Sequence, residues 1–386
     1  MEYKTHFLWV VTIACCLCAL LETPLEAKRR IPWRRACPFR HYEIPSTPVQ
    51  PFSKPLSKFF DESSFPGSSQ RDPYEYVWEV DKTKPFNELI FSWNALRPEK
   101  GKITFLVSTN YPQTSGWHRI AEWGPDYQRT FTNKHHPYVH TKHVRVEMQK
   151  HKLATGFRVK VIFSDGAPPH NLRALFACIS DTKLFKISLP NINSLKNIPP
   201  LSVPKQSQMV IDHPRAHDLC SPTSTSMLVN YFTNKMYHRH IRENMQDYVA
   251  DFADKVHDDG NLNIYGNWIL NVAQAFDSAN GGVFFRVERL NNFASLHDYL
   301  TKRIPVAVSV RRLRGGAMPY RNGHFMVVVG WDSVKRMVTC IDPAFGSNGT
   351  TLRHYKLRDF LQAWGRSLNL SYIPIPSRQV WNTLWA

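Results

Sequence analysis

Cys220 has the surroundings of a reactive thiol. It lies in the segment HDLCSPTSTSMLVNYF, and the Ser221 and Pro222 that follow suit the first turn of a helix. Proline is tolerated there because the backbone N–H that it lacks would have no acceptor within the helix. The thiol would then lie at the positive end of the helix dipole, which favours the nucleophilic thiolate. A buried structural cysteine is the alternative, and this segment alone does not exclude it.

Two further residues can complete a nucleophilic site. His324 opens the apolar segment HFMVVVGWD, and Asp342 ends a second apolar segment, VTCID. If WDSVKR between them is a hairpin, two adjacent strands present a histidine and an aspartate at matching ends. The carboxylate would fix the imidazole tautomer, and the other ring nitrogen would take the thiol proton. Taken singly, His324 is also explained as a strand-end histidine and Asp342 as a turn-forming Asp-Pro.

Attack on a carbonyl also requires donors for the developing oxyanion. Gln208, in VPKQSQM upstream of Cys220, is the candidate side-chain donor, and the backbone N–H of Cys220 is its candidate partner. Gln206 is the competing choice.

The elements that must position these residues mix helix and strand. Helices are predicted at 222–235, near 240–257 and at 266–279, and strands at 304–310, 325–330 and 337–341. Helices followed by antiparallel-looking strands indicate an α+β arrangement.

The preceding part of the chain has strand chemistry. Short alternating stretches, bounded by Gly, Pro, Asn and Asp, lie at 74–80, 88–95, 102–109, 143–148, 156–163 and 184–189. They predict an all-β domain, sandwich or jelly-roll-like, over residues 71–190. Residues 28–70 are rich in Pro, Ser and basic side chains and are predicted to be a linker or prosegment. The polar segment 191–204 is the predicted domain boundary.

The N-terminus indicates export. An unbroken apolar run at 7–21 is shorter than the ~20 residues of a membrane span, so residues 1–27 are predicted to be a signal peptide. A basic cluster follows at once and leaves an uncleaved anchor as the alternative. The expected location is secreted, periplasmic or in the cell envelope.

The chain is strongly basic, with a formal net charge of +18. This favours contact with an anionic envelope polymer, although simple solubility explains it equally well. Nucleic acid is not an expected partner, because none of the usual binding motifs is present.

The cysteines and histidines point to neither a disulfide framework nor a metal. Four cysteines follow the leader, and Cys37 and Cys178 could pair in an oxidising compartment. A histidine cluster at 135–151 matches no standard zinc spacing.

Several of these segments together resemble the C39-like peptidases of the papain-like cysteine peptidase superfamily. The resemblance rests on VPKQSQM, CSPTSTSMLVNYF, GHFMVVVGWD and IDPAF, and it covers about residues 201–376. Long bacterial members look similar upstream as well, where FSWNALRPEKGKITFLV and SGWHRIAEWG match an N-terminal β-domain.

The resemblance implies a papain-like fold and thiol chemistry, with no metal or cofactor. It makes Cys220 the nucleophile, His324 the general base, Asp342 its orienting partner and Gln208 the oxyanion donor. Many members carry glycine where this chain has Ser221. No transporter domain accompanies the segment, so leader-peptide cleavage during export is not implied.

The leading hypothesis is an exported cysteine peptidase or amide hydrolase that acts on peptide or isopeptide bonds through an acyl-enzyme. One alternative is a catalytically silent protein that binds an envelope polymer or glycan through the β-domain. A second is a transglutaminase-like acyltransferase, which also places Cys, His and Asp in this order.

Overall fold

The computed structural model describes residues 51–65, 72–111, 115–236, 244–258, 260, 262–377 and 380–382. Their first half is built of short strands: β1 (Ser53–Phe59), β2 (Tyr74–Val80), β3 (Glu88–Ala95), β4 (Lys102–Thr109), β5 (His118–Trp123), β6 (Gln128–Thr130), β7 (Thr132–Asn133), β8 (Val139–Lys142), β9 (Arg145–Met148), β10 (Phe157–Ser164) and β11 (Leu172–Ser180). The predicted leader, 1–27, and Cys37 lie outside the described residues.

These strands form two antiparallel sheets, ordered β1-β11-β3-β9-β8-β7 and β2-β10-β4-β5-β6. The sheets pack face to face: the ring of Trp93 on β3 stacks on that of Phe105 on β4, with centroids 4.2 Å apart. Strand β10 alternates buried and half-buried residues, as expected of a strand with one face on a core. The predicted all-β sandwich is therefore present in the N-terminal half.

The second half is mixed. It contains the helices α1 (Cys220–Met236), α2 (Met245–Asp254), α3 (Trp268–Ser278), α4 (Phe293–Thr301) and α5 (Leu357–Gly365), and the strands β12 (Val283–Arg289), β13 (Val306–Val310), β14 (His324–Asp332), β15 (Met337–Ile341), β16 (Leu352–Lys356) and β17 (Leu370–Pro376). The strands form a third antiparallel sheet, ordered β12-β17-β13-β14-β15-β16, and α1 packs on β14. This confirms the predicted α+β class.

Strand β3 joins the two halves. All eight of its residues are buried, because one face meets the second sheet while the other meets α3 and β12. Asn94 on β3 bonds both ways with the backbone of Phe285 on β12: its Nδ2 donates to the carbonyl at 2.8 Å, and its Oδ1 accepts from the N–H at 2.8 Å. Residues Pro48–Ala386 accordingly form one compact unit.

One sequence prediction about strands is wrong. Segment 184–189 forms no strand, because its apolar residue Ile187 packs beside Gly365 of the second half instead of joining a ladder. The strand of this region is β11, which the sequence reading missed. The predicted linker or prosegment, 28–70, contains β1, which pairs with β11 at the edge of its sheet. Pro55 is compatible with β1 because an edge strand has one unpaired side.

The predicted boundary segment is not a free connection. Ile198 forms a two-way backbone bridge with Trp331 on β14, with N···O distances of 2.8 and 2.9 Å. The domain limits of 71–190 and 201–376 stay a prediction. No helix in the described part of the chain is long and apolar enough to cross a membrane.

Candidate active site

Cys220 is the first residue of α1. The helix that follows is buried from Ser221 to Thr233, whereas Cys220 itself is only half-buried and lines a cleft. Pro222 lies in the first turn, as predicted, and no acidic residue there opposes the positive end of the helix dipole. The local sequence thus places the thiol at a helix N-terminus with access to a ligand.

His324 is the first residue of β14 and lies opposite Val310 of β13. Its side chain is 4% exposed. The ring of Tyr320 stacks on its imidazole, with centroids 4.0 Å apart and planes 11° apart. Gly323 before it has φ +110°, a conformation that side-chain-bearing residues rarely adopt. The turn into β14 therefore depends on this glycine.

Asp342 directly follows β15, which pairs with β14 and so brings the carboxylate beside the imidazole. His324 Nε2 donates to Asp342 Oδ1 at 2.7 Å. The fully buried carboxylate has three more donors: the backbone N–H of Ala344 at 3.2 Å, and the hydroxyls of Tyr320 and Tyr355 at 2.8 and 2.7 Å. The hairpin predicted from WDSVKR thus positions the two residues as expected.

Asp342 and His324 each stabilise the ionised form of the other. Burial alone would raise the pKa of Asp342, but the His324 cation and the hydrogen bonds from His324 and both tyrosines lower it. Burial alone would lower the pKa of His324, but the Asp342 charge and hydrogen bonds to Asp342 and Cys220 raise it to about 9. Because Nε2 is used by Asp342, Nδ1 is the ring nitrogen left for the thiol.

Tyr320 and Tyr355 were missed by the sequence reading. Tyrosines at such positions are usually core residues, and only the folded arrangement of β14, β15 and β16 directs both hydroxyls to one carboxylate oxygen. Tyr320 is further fixed because its oxygen accepts from the N–H of Ala317 at 3.0 Å. Both are positioning residues for the Asp342–His324 pair.

Replacing Tyr355 by phenylalanine is expected to lower the free energy of unfolding at pH 7 by about 1–3 kcal/mol, because a buried ionised carboxylate loses a donor. Asp342 stabilises the fold above its usual pKa of 3.8, and this contribution is lost as pH falls through its lowered folded value. The difference from the unsubstituted protein should therefore shrink in acid. Urea unfolding at pH 7 and at pH 3 measures it.

Tyr372→Phe is the matched control, because the buried hydroxyl of Tyr372 bonds to the neutral hydroxyl of Ser221 at 2.9 Å. Its effect should be the same at both pH values. A Tyr355→Phe effect that is equally independent of pH would contradict the role given to that hydroxyl.

Gln208 lines the same cleft, but its amide is engaged. Its Nε2 donates to the carbonyls of Ala216 and His217 at 3.0 and 2.7 Å, in the turn that precedes Cys220. Its backbone N–H donates to Pro343 at 2.9 Å, next to Asp342. Both hydrogens of the side-chain amide are therefore bonded. Gln208 could donate to an oxyanion only after breaking its bond to the carbonyl of Ala216 or of His217. The oxyanion role stays a prediction.

The competing glutamine, Gln206, is also buried, and its Nε2 donates to the carbonyl of Ser207 at 2.9 Å. It does not line the cleft, whereas Gln208 does.

The cleft has a volume of about 900 Å³ and is walled by both halves of the chain. The first half contributes the loop and strands around residues 134–145, from β7 to β9. The second half contributes Cys220 and His324, with Trp268 at the start of α3. No motif in the sequence indicates that the β-domain forms part of this wall.

Residues 200–372 match the model of the Peptidase_C39 like family. No curated protein matches the chain at a significant level. A crystal structure of a provisionally assigned C39-like peptidase from Bacillus anthracis is 16% identical, with 47% of this chain and 98% of that one covered and a TM-score of 0.34. A structure from Sulfurospirillum deleyianum is 8% identical, with 33% and 98% covered and a TM-score of 0.15.

The family match does not depend on these two structures. The matched segment contains Cys220, His324 and Asp342. Residues 200–372 of this chain therefore belong to the Peptidase_C39 like family.

Proposed function

We propose that this protein is an exported cysteine peptidase in which Cys220 is the nucleophile, His324 the acid–base group and Asp342 its orienting partner. The observation that carries the proposal is the 2.7 Å bond from His324 Nε2 to Asp342 Oδ1, with the other side of the imidazole turned to a thiol that lines a cleft. The family match supports a peptidase-type function.

The first half-reaction transfers the acyl group to sulfur. The thiolate of Cys220 attacks the carbonyl carbon of the scissile amide, a C–S bond forms, and the carbonyl electrons move to oxygen. The Cys220 N–H is suited to receive this oxyanion, because the first N–H groups of a helix have no intrahelical acceptor. When the C–N bond breaks, His324 Nδ1 gives its proton to the leaving amine.

The second half-reaction releases the acid. His324, now neutral, takes a proton from water as the water oxygen attacks the thioester carbonyl. The C–S bond breaks, the carboxylic acid product leaves, and the thiolate and imidazolium are restored. Asp342 stays ionised throughout and stabilises the imidazolium each time it forms.

Peptide or isopeptide bonds are the proposed substrates, and export rests on the apolar run at 7–21 of the sequence. Contact with an anionic envelope polymer through the basic surface is part of the same proposal.

Iodoacetamide labelling of the folded protein tests the nucleophile. Cys220 is expected to be alkylated rapidly at neutral pH, and peptide mass spectrometry locates the label. Cys178 and Cys340 serve as internal controls, since both are buried and burial raises the pKa of each thiol. They should react only after unfolding.

Absence of labelling at Cys220 in folded protein would refute the proposal and favour a silent binding protein. For a labelled enzyme, adding a primary amine during peptide turnover separates hydrolysis from acyl transfer. Amide product in place of free acid would show the transglutaminase-like alternative.

A further inference from the structure

The cleft around Cys220 is basic. Among the described residues that line it, six are lysine or arginine and one, Asp218, is a carboxylate. The six basic residues are Lys134, Lys142, Arg145, Arg215, Arg311 and Arg321. A cleft lined by one sign of charge concentrates its field and attracts ligands of the opposite sign.

Three of the six basic side chains already form ion pairs. Lys142 and Arg145 both pair with Glu147, and Arg215 pairs with Asp218 at 2.8 Å. Lys134, Arg311 and Arg321 take part in none of the ion pairs found in the described part of the chain. These three cations, defined here as the free cations of the cleft, are available to a ligand.

Arg311 is held close to the catalytic histidine. It directly follows Val310, the residue of β13 paired with His324. A Cβ atom added to Gly323 would lie 3.8 Å from Arg311 Nε, so the guanidinium extends beside the residue that precedes His324. Its backbone N–H donates to the carbonyl of Ala363 at 2.9 Å, which fixes the start of the side chain.

Arg321 belongs to the turn that leads into β14. This turn is closed by a bond from the Gly323 N–H to the Tyr320 carbonyl at 3.3 Å, and Arg312 donates to the same carbonyl at 3.3 Å. The ring of Tyr320 is in turn stacked on His324. Arg321 is therefore attached to an ordered turn beside the reacting atoms. Lys134 adds a charge from the loop between β7 and β8.

We propose that Arg311 and Arg321, together with Lys134, bind a carboxylate of the substrate next to the scissile bond, so that the enzyme selects acidic peptides. The inference rests on the proposed function and adds its substrate class. A guanidinium matches a carboxylate through two parallel N–H donors, which gives orientation as well as attraction. A lysine or arginine at the same substrate position would be repelled.

The test compares two reagents with the same reactive group, iodoacetate and iodoacetamide, in alkylation of Cys220. The rate constant for iodoacetate is divided by that for iodoacetamide, and this ratio is divided by the same ratio for free cysteine. The resulting normalised ratio reports the charge of the cleft. We expect the normalised ratio to exceed one in the unsubstituted protein. It should fall about fivefold in the Arg311→Gln, Arg321→Gln double variant. High salt should reduce the ratio as well.

Arg314→Gln is the matched control, because Arg314 is an exposed residue of the same loop that does not line the cleft. It should keep the ratio of the unsubstituted protein. If both reagents alkylate Cys220 and the double variant leaves the ratio unchanged, the subsite is refuted while the thiol nucleophile stands. If neither reagent alkylates Cys220, the proposed function itself fails, and the subsite fails with it.

Peptides then test the substrate class without requiring cleavage. In a matched set that differs only by glutamate, glutamine or lysine beside the central bond, the glutamate peptide should protect Cys220 from iodoacetamide at the lowest concentration. This advantage should disappear in the double variant. Equal protection by the glutamate and lysine peptides would overturn the selectivity for acidic peptides.

Discussion

Replacing Cys220 by alanine is expected to lower kcat for peptide cleavage by about 10⁴-fold or more, because no other group of the site can form the acyl-enzyme. The fold should be unaffected, since the change removes one half-buried sulfur atom at a cleft surface. Steady-state turnover of a fluorogenic peptide measures the loss, and circular dichroism and the melting temperature check the fold.

Cys340→Ala provides the comparison, because Cys340 is a fully buried thiol on β15 and does not line the cleft. Its turnover per folded molecule should equal that of the unsubstituted protein. Residual cleavage by Cys220→Ala within tenfold of the unsubstituted rate would assign catalysis to another residue.

Replacing Asp342 by asparagine is expected to lower turnover at neutral pH by about 10²-fold. The amide keeps the shape but loses the charge that raises the pKa of His324 to about 9, and burial then lowers that pKa. The imidazolium form of His324 is therefore lost near pH 7. The rate of Cys220 alkylation by iodoacetamide, followed from pH 5 to 10, should become steeper with pH and fall at pH 7.

The free energy of unfolding should depend on the ionisation of the same two side chains, His324 and Asp342. His324 has a raised pKa, so its contribution is complete below its usual value of 6.5 and is lost as pH rises through about 9. Asp342 has a lowered pKa, so its contribution is present above 3.8 and is lost on acidification. The gap in unfolding free energy between the unsubstituted protein and Asp342→Asn should be largest between pH 4 and 6.5.

Asp298→Asn is the control for both measurements, because Asp298 pairs with Lys302 on the exposed side of α4, outside the cleft. An unchanged alkylation profile in Asp342→Asn would mean that the buried carboxylate does not set the ionisation of His324.

The main parts of the site could be predicted because each is marked by local sequence. Cys220 precedes a proline that suits a first helical turn, and His324 and Asp342 stand at the ends of apolar segments joined by a short polar turn. The hairpin brings His324 and Asp342 together, whereas Cys220 reaches them because α1 packs on β14. Local rules of strand formation predicted β2, β3 and β4 with their observed limits.

The remaining parts depend on contacts between distant segments. Tyr355 comes from β16 and reaches Asp342 only because β16 pairs with β15. The amide of Gln208 turns to the carbonyls of Ala216 and His217, a choice that no spacing reveals. Segment 184–189 alternates as a strand does, yet Ile187 packs beside Gly365 and Leu184 is exposed.

Strand β3 lies outside the segment that the family model matches, yet it is bonded to a strand inside that segment. The family model matches from residue 200 onward, but strand β12 within that segment is bonded to Asn94, and Arg289 at the end of β12 forms a buried ion pair with Glu88. A chain cut at that boundary would expose apolar surface on α3 and leave Arg289 without its counter-ion. The segment that the family model matches and the compact folded unit are thus different lengths of the same polypeptide.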